Sequence, residues 1–185
     1  MTEDKHTILH IQINKQYQIK CSVIDNDYNK HFIKINENQQ DEFSSISIAF
    51  DINEIVINNQ QNSIDFINDL FDHPEEYKEY SITYQNKEYK VISEVLFALF
   101  ISQIKNKIEK EWIIDEVIIT IPNDSYLISK RLKTSLKSIG INHLTINSFD
   151  KYIEQGEILN QILDKNNEYQ KYRRILEKDN VTKLF

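Results

Sequence analysis

The sequence predicts an α/β fold, a mixed sheet flanked by helices, and three observations lead there. The first is the stretch from Asp115 to Asn147, which reads as strand, turn, helix, glycine stop and strand, the order of a β-α-β unit. The second is apolar and polar alternation through the first 36 residues, the period of half-buried strands. The third is a helical period from residue 149 onward, which predicts a C-terminal helical extension at 149–185 behind one α/β domain at 1–148. A domain of this size buries roughly 70% of its unfolded surface and requires no disulfide or metal staple.

Alternation predicts strands over 7–13 (Ile8, Ile11, Ile13), 17–24 (Tyr17, Ile19, Cys21, Val23) and 30–36 (Phe32, Ile33, Ile35). Asp25-Asn26-Asp27-Tyr28-Asn29 is the turn between the last two. Its Asp-x-Asp-x-Asn spacing opens like a calcium loop. Lys30 stands where the loop needs glycine and Asn36 where it needs glutamate, so a plain hairpin turn is expected. Short strands follow at 45–50 and 54–57. A helix starts near Ser63, with Ile64, Ile67, Leu70 and Phe71 on one face, and ends by His73-Pro74, because proline disfavours helix for the residue before it.

A hairpin is expected over 79–91, turning at Gln85-Asn86-Lys87. Ser93 is the expected cap of a helix over 94–110. Its run Val95-Leu96-Phe97-Ala98-Leu99-Phe100-Ile101 has no polar face for two turns, so it is buried on more than one side or offers Leu96, Phe97 and Phe100 to a partner. Trp112 plugs the end of that helix. The Val/Ile-rich segment 116–121 predicts a central strand covered on both faces, ended by Pro122. Ser125 is the N-cap of the next helix, with Ile128, Leu132, Leu136 and Ile139 at helical spacing and Gly140 as the left-handed stop. Its polar face carries Lys130, Arg131, Lys133 and Lys137, a solvated face or a contact for an acidic or nucleic-acid partner. A strand follows at 143–147. Beyond it helix is expected through Ile153, Ile158, Ile162 and Leu163 toward Ile175 and Leu176, with Gly156 as a break.

Charge is divided unevenly. Residues 1–80 carry six Lys/Arg and fifteen Asp/Glu, whereas 81–185 carry sixteen and fourteen, so the net −7 is −9 plus +2. That balance argues against a general nucleic-acid binder, which needs a basic face for phosphates. One cysteine, Cys21, forms no internal disulfide and is expected as a small core residue of a reducing compartment. The N-terminus is acidic where a secretory leader is basic, and the longest apolar run, Val95 to Ile101, is far short of the roughly 18 residues that span a bilayer. No membrane association and a cytoplasmic location are expected.

Catalytic chemistry is thinly represented. Phosphate-cradling loops need glycine, and the chain has two, Gly140 and Gly156. His6, His10, His31, His73 and His143 show no metal-ligand spacing, and no second cysteine assists them. Catalytic, metal and cofactor residues are therefore expected to be absent.

Three antiparallel strands followed by alternating helices and strands are similar to the ribonuclease-H-like unit shared by actins, sugar kinases and seventy-kilodalton heat-shock chaperones. Ile119-Thr120-Ile121-Pro122 resembles the Val-Thr-Val-Pro strand end of the chaperones' nucleotide-binding domain, and Ser138-Ile139-Gly140-Ile141-Asn142 resembles the Ala-Gly-Leu-Asn turn after its next helix. Tyr89 to Ile108 looks like the helix preceding that strand. Ile48-Ala49-Phe50 with Glu54-Ile55-Val56-Ile57-Asn58 is similar to the family's Val-Ala-Phe strand and its following Arg-Leu-Ile-Gly. The likeness covers residues 7–148, a first lobe, and a second lobe would supply the other phosphate loop and the adenosine pocket.

What the resemblance implies about function is mostly loss. The family's first phosphate loop, Asp-Leu-Gly-Thr-Thr-Tyr, falls on Gln12-Ile13-Asn14-Lys15-Gln16-Tyr17, so the metal-facing aspartate is Gln12, the glycine Asn14 and the threonines Lys15 and Gln16. The family's lysine that orients the attacking water falls at Asn68, and its Asn-Glu-Pro-Thr hinge is replaced near Ser148-Phe149-Asp150-Lys151. Phosphoryl transfer relies on positioning and charge stabilisation, so the resemblance implies a pseudo-ATPase, a non-catalytic protein-interaction subunit or adaptor without ATP, within a larger assembly or assisting another chaperone. Two alternatives stand beside it. One is an ATPase half-domain completed by a partner chain, in which Asn14 tolerates a left-handed turn and Lys15 touches phosphate. The other is a nucleic-acid module using Lys130, Arg131, Lys133 and Lys137.

Overall fold

The computed structural model describes residues 6–35, 39, 41–50, 55–57, 64–123 and 125–148. In chain order the elements are β1 (His6–Ile13), β2 (Ile19–Ile24), β3 (Lys30–Ile33), β4 (Ile48–Phe50), β5 (Ile55–Ile57), α1 (Ile67–Asp72), β6 (Glu79–Tyr84), β7 (Lys87–Ile92), α2 (Ser93–Ile108), β8 (Ile113–Ile121), α3 (Tyr126–Ser138) and β9 (Leu144–Ser148). Five strands form one mixed sheet in the order β3-β2-β1-β8-β9. β1 pairs antiparallel with β2 and parallel with β8, and β9 continues the parallel side. β4-β5 and β6-β7 form two separate two-stranded ribbons. The expected α/β class with a mixed sheet flanked by helices is thus present. The helical extension expected at 149–185, with its break at Gly156, lies outside the described residues.

Period-two alternation explains which side of the sheet is packed. Leu9, Ile11 and Ile13 of β1, Ile19, Cys21 and Val23 of β2, and Val117, Ile119 and Ile121 of β8 share one cluster with α2 and α3. Helical spacing supplies the opposing layer through Leu96, Phe97, Phe100, Ile104, Ile128, Leu132 and Leu136, all buried. Each such large side chain contributes about 1.5–3 kcal/mol when fully buried. The Val/Ile run of β8 was expected to be covered on both faces, and Ile118 at 1% exposure on one face and Ile119 at 0% on the other agree with it.

Several boundaries differ from the sequence expectation for visible reasons. β3 stops at Ile33 because the Ile35 N–H donates to the Gln39 side chain at 2.7 Å, and Ile19 pairs with Ser44 instead. The helix expected from Ser63 starts at Ile67, since Ile64 is held in an extended bridge to Ile48; Ser63 itself lies outside the described residues. Ser93 is the first helical residue rather than the cap, a position taken by extended Ile92. The β6-β7 turn has two residues, Gln85 and Asn86, at φ 51° and 59°, the left-handed pair that a tight primed hairpin requires. β8 begins at Ile113, where Asp115 forms a bulge against β1 and accepts the Thr7 N–H at 3.0 Å.

α3 follows the expected capping closely. The Ser125 hydroxyl accepts the Ile128 N–H at 3.3 Å. At the other end Gly140, at φ 86°, donates to the Lys137 carbonyl and Ile141 donates to that of Leu136, the paired bonds of a Schellman stop, with Ile141 buried over Leu136. A Cβ at Gly140 meets nothing within 4 Å, so its cost is backbone strain alone. Gly140→Ala is expected to lower stability by about 1 kcal/mol, read as a reduced urea midpoint at unchanged slope.

Candidate functional site

The turn leaving β1 is the position where the resemblance places a phosphate loop, and its own side chains close it. Asn14 Oδ1 accepts the backbone N–H of Gln16 at 3.0 Å and of Gln18 at 2.9 Å. The Asn14 N–H donates to the Gln18 carbonyl at 3.0 Å, and the Tyr17 N–H to the Asn14 carbonyl at 2.9 Å. Asn14 Nδ2 adds a bond to Gln18 Oε1 at 3.1 Å. An asparagine that captures the amide two residues on is the ordinary way such a turn forms, and it lets Tyr17 sit at φ 57°. The amides of 14, 16, 17 and 18 are thereby engaged within the turn. A phosphate cradle needs those groups pointed outward.

Neighbouring residues fix the turn in place. The Tyr17 ring stacks on Phe71 at 5.5 Å and its hydroxyl donates to Asp72 at 2.6 Å, a bond that, with burial, pushes the phenol up to about 12. The structure therefore brings α1 against the turn, and Asn68 sits exposed on that helix, one turn before Asp72. Lys15 and Gln16 are exposed at the turn's tip. Gln12 is buried on the sheet, where its Oε1 accepts Lys30 Nζ at 3.2 Å. An amide at this position accepts from lysine but lacks the charge that holds a metal ion.

The polar residues around Gln12 form a buried layer on the sheet face away from α2 and α3. His10 Nε2 and Thr120 Oγ1 are 3.0 Å apart, and the Ser22 hydroxyl donates to the His10 carbonyl at 3.4 Å. Lys20 is held by Glu42 and lies over the Phe43 ring. Burial, reinforced by Lys30 and Lys20, pulls the His10 pKa well below its ordinary value, so its imidazole is neutral at pH 7. Cys21, on the opposite face, is pushed up to about 12 by burial and is a core thiol, as expected.

Burial corrects four of the candidate interaction residues. Leu96, Phe97 and Phe100 are all fully buried in the core, so these positions of the α2 run pack within the chain, while Val95 is exposed. Arg131 is buried as well. Its Nε donates to Glu94, a second nitrogen donates to the Pro74 carbonyl, and its guanidinium lies 4.3 Å from the centroid of the Tyr77 ring. Arg131 therefore joins α3, α2 and the loop after α1 in place of facing solvent. The sequence analysis missed Glu94, whose only signal was an acid at the start of an otherwise apolar helix.

Lys130, Lys133 and Lys137 do lie exposed on α3, a helix without any acidic residue. No described ion pair engages them. Tyr126, 80% exposed, and half-exposed Leu127 extend the same helix's outer surface. This surface combines positive charge with an aromatic in an acidic chain.

Among the described residues one group of metal-ligand types comes together. His73, Glu75 and Glu76 offer ligand atoms within 4.8 Å of one another, all on exposed side chains. The Asp25 turn is not a calcium loop, since Asp25 Oδ1 accepts the amides of Asp27 and Asn29 at 3.0 and 2.8 Å, and its second oxygen meets His31. Trp112 packs on His31 at the end of α2, the plugging role expected of it. No helix among the described residues is long and apolar enough to cross a membrane. No protein-family model matches the chain, and no curated protein matches it in sequence.

The Arg131–Glu94 pair generates a stability test. Removing one partner strands a buried charge, so Glu94→Met or Arg131→Met alone is expected to cost about 3–5 kcal/mol, whereas the two together cost much less. A double-mutant cycle in urea measures the difference.

Proposed function

We propose that the chain is a non-catalytic protein-interaction subunit or adaptor, built on a ribonuclease-H-like lobe resembling the first lobe of the heat-shock chaperone ATPase domain. The strand order β3-β2-β1-β8-β9, three antiparallel strands then two parallel ones joined through helices, supports that fold assignment. The observation that carries the functional reading is the turn after β1. Its amides at Asn14, Gln16, Tyr17 and Gln18 are engaged with one another, and Gln12 replaces the metal-facing carboxylate of the resembled family. Catalysis of phosphoryl transfer requires oriented amides, a cation and a positioned nucleophile, and these residues supply none of the three. The chain is accordingly read as a cytoplasmic pseudo-ATPase with neither cofactor nor catalytic residue.

The outer surface of α3 is the proposed contact. Lys130, Lys133 and Lys137 lie exposed, with Tyr126 and Leu127 extending the same surface, so it suits an acidic protein partner. Exposed charges of this kind act chiefly on association rate and partner choice. The chain's net −7 weighs against nucleic acid as that partner.

Affinity purification from the native source, followed by size exclusion, tests the reading. Capture of an acidic protein by the full chain, lost with Lys130→Glu, Lys133→Glu and Lys137→Glu combined at unchanged melting temperature, is the expected outcome. A lone monomer would contradict it. So would RNA or DNA binding with a steep salt slope that the same substitutions abolish.

A further inference from the structure

Two surfaces of opposite charge lie side by side on this chain. The first is the stretch from α1 into β6, residues 65–79, where six carboxylates stand against one lysine, Lys78. Asp65, Asp72, Glu75, Glu76 and Glu79 of that stretch are exposed. The second is the outer surface of α3, where Lys130, Lys133 and Lys137 are exposed and no acid of the helix accompanies them.

Contacts of a buried arginine hold the two surfaces together. Arg131 of α3 donates to the Pro74 carbonyl, and its guanidinium lies 4.3 Å from the centroid of the Tyr77 ring. Glu75 and Glu76 sit between those two anchor points, on a turn in which the Glu76 N–H donates to the His73 carbonyl at 3.0 Å. Lys130 is the chain neighbour of Arg131, and Leu127 precedes it by one turn of the same helix. Acids and lysines are therefore adjacent, yet among the described residues no ion pair joins them. Glu75 lies 3.9 Å from His73, and Glu79 lies 3.5 Å from Lys90. Tyr77, at 63% exposure, and Tyr126, at 80%, add aromatic area to the two surfaces.

The adjacency of opposite charges matters because of symmetry. In a twofold pair every contact of residue i with residue j is answered by j with i, so the joining surface is complementary to itself. A lysine stripe alone would meet its own image and repel. An acidic patch beside a basic one, turned about a twofold axis, faces its complement at both contacts. The net −7 of the chain opposes association at long range. At about 0.15 M salt that repulsion is screened beyond roughly 8 Å, whereas charges brought into partly buried contact are screened much less.

We propose that the partner of the α3 surface is a second copy of this chain, which lays its 72–79 segment against Lys130, Lys133 and Lys137 while its own α3 receives the first copy's segment. The inference rests on the reading of α3 as a protein contact and names the acidic partner. Exposed charge pairs supply orientation more than affinity, and Tyr77, Tyr126 and Leu127 supply apolar area, so the pair is weak and reversible.

Sedimentation equilibrium of the full chain tests this. A monomer–dimer equilibrium with a Kd between about 1 µM and 1 mM is expected at about 0.15 M salt, weakened about tenfold or more at about 1 M. Lys130→Glu, Lys133→Glu and Lys137→Glu combined, or Glu75→Lys with Glu76→Lys, are each expected to weaken self-association at least about tenfold, since like charges then meet at both contacts. Mixed in equal amounts, the two variants are expected to form a dimer with one copy of each, because both contacts are complementary again. Unchanged melting temperatures show that both variants are folded. A chain that stays monomeric to about 1 mM overturns the proposal. So does self-association that either variant retains, a mixture of folded variants that restores nothing, or growth beyond the dimer, which a head-to-tail contact produces. The salt series of the unsubstituted chain needs no variant, and self-association as strong at high salt as at low overturns the proposal too. A monomer that still captures a foreign acidic protein through the same lysines overturns this inference alone and leaves the adaptor reading standing; a monomer that captures nothing defeats both.

Discussion

The parallel pairing of β1 with β8 is the constraint on which the rest of the structure depends. It joins residues more than 100 positions apart, as Thr7 to Asp115 shows, and everything between them is organised around the closure. Such contacts form only after long loops are closed, so they set both the folding rate and the cooperativity of the domain. With β1 bonded on both edges and packed on both faces, none of its positions from Ile8 to Ile13 is free to change without a cost in packing or in a buried polar bond.

Helix placement follows from that sheet. α2 and α3 lie on one face, and Arg131 locks their mutual position by reaching Glu94 and the Pro74 carbonyl under the Tyr77 ring. A buried ion pair adds little net stability over an apolar pair, but it penalises every arrangement in which its partners separate. The Tyr17 contacts to Phe71 and Asp72 do the same for α1 and the first turn. A turn held by its own asparagine and by a neighbouring helix is a rigid connector, a different physical object from a loop that waits for an anion.

Much of the fold was legible because its signals were strong and local. The alternation of β1 and β2, the Val/Ile run of β8, the Ser125 cap and the Gly140 stop all have one residue type forced by one geometry. Boundaries failed where a side chain outcompeted the backbone ladder, as Gln39 does at Ile35, or where an isolated bridge held a residue extended, as Ile48 does for Ile64. The candidate site was legible only in part. Asn14 was readable as a missing glycine, but its capture of two amides depends on a conformation that no spacing rule specifies. Arg131 looked like one of four cations on a helix; what separates it from Lys130, Lys133 and Lys137 is an acid 37 positions earlier. Non-local pairing of that kind leaves no periodic trace.

Amide chemical shifts of the first turn test the central claim most directly. In an isotope-labelled sample of the full chain, the resonances of Gln16, Tyr17 and Gln18 should remain unmoved through a titration of Mg-ATP into the millimolar range, with slow solvent exchange of the same amides reporting their bonds to Asn14. Saturable shifts at these amides, lost with Lys15→Ala, would contradict the account and return the turn to the role of a phosphate loop.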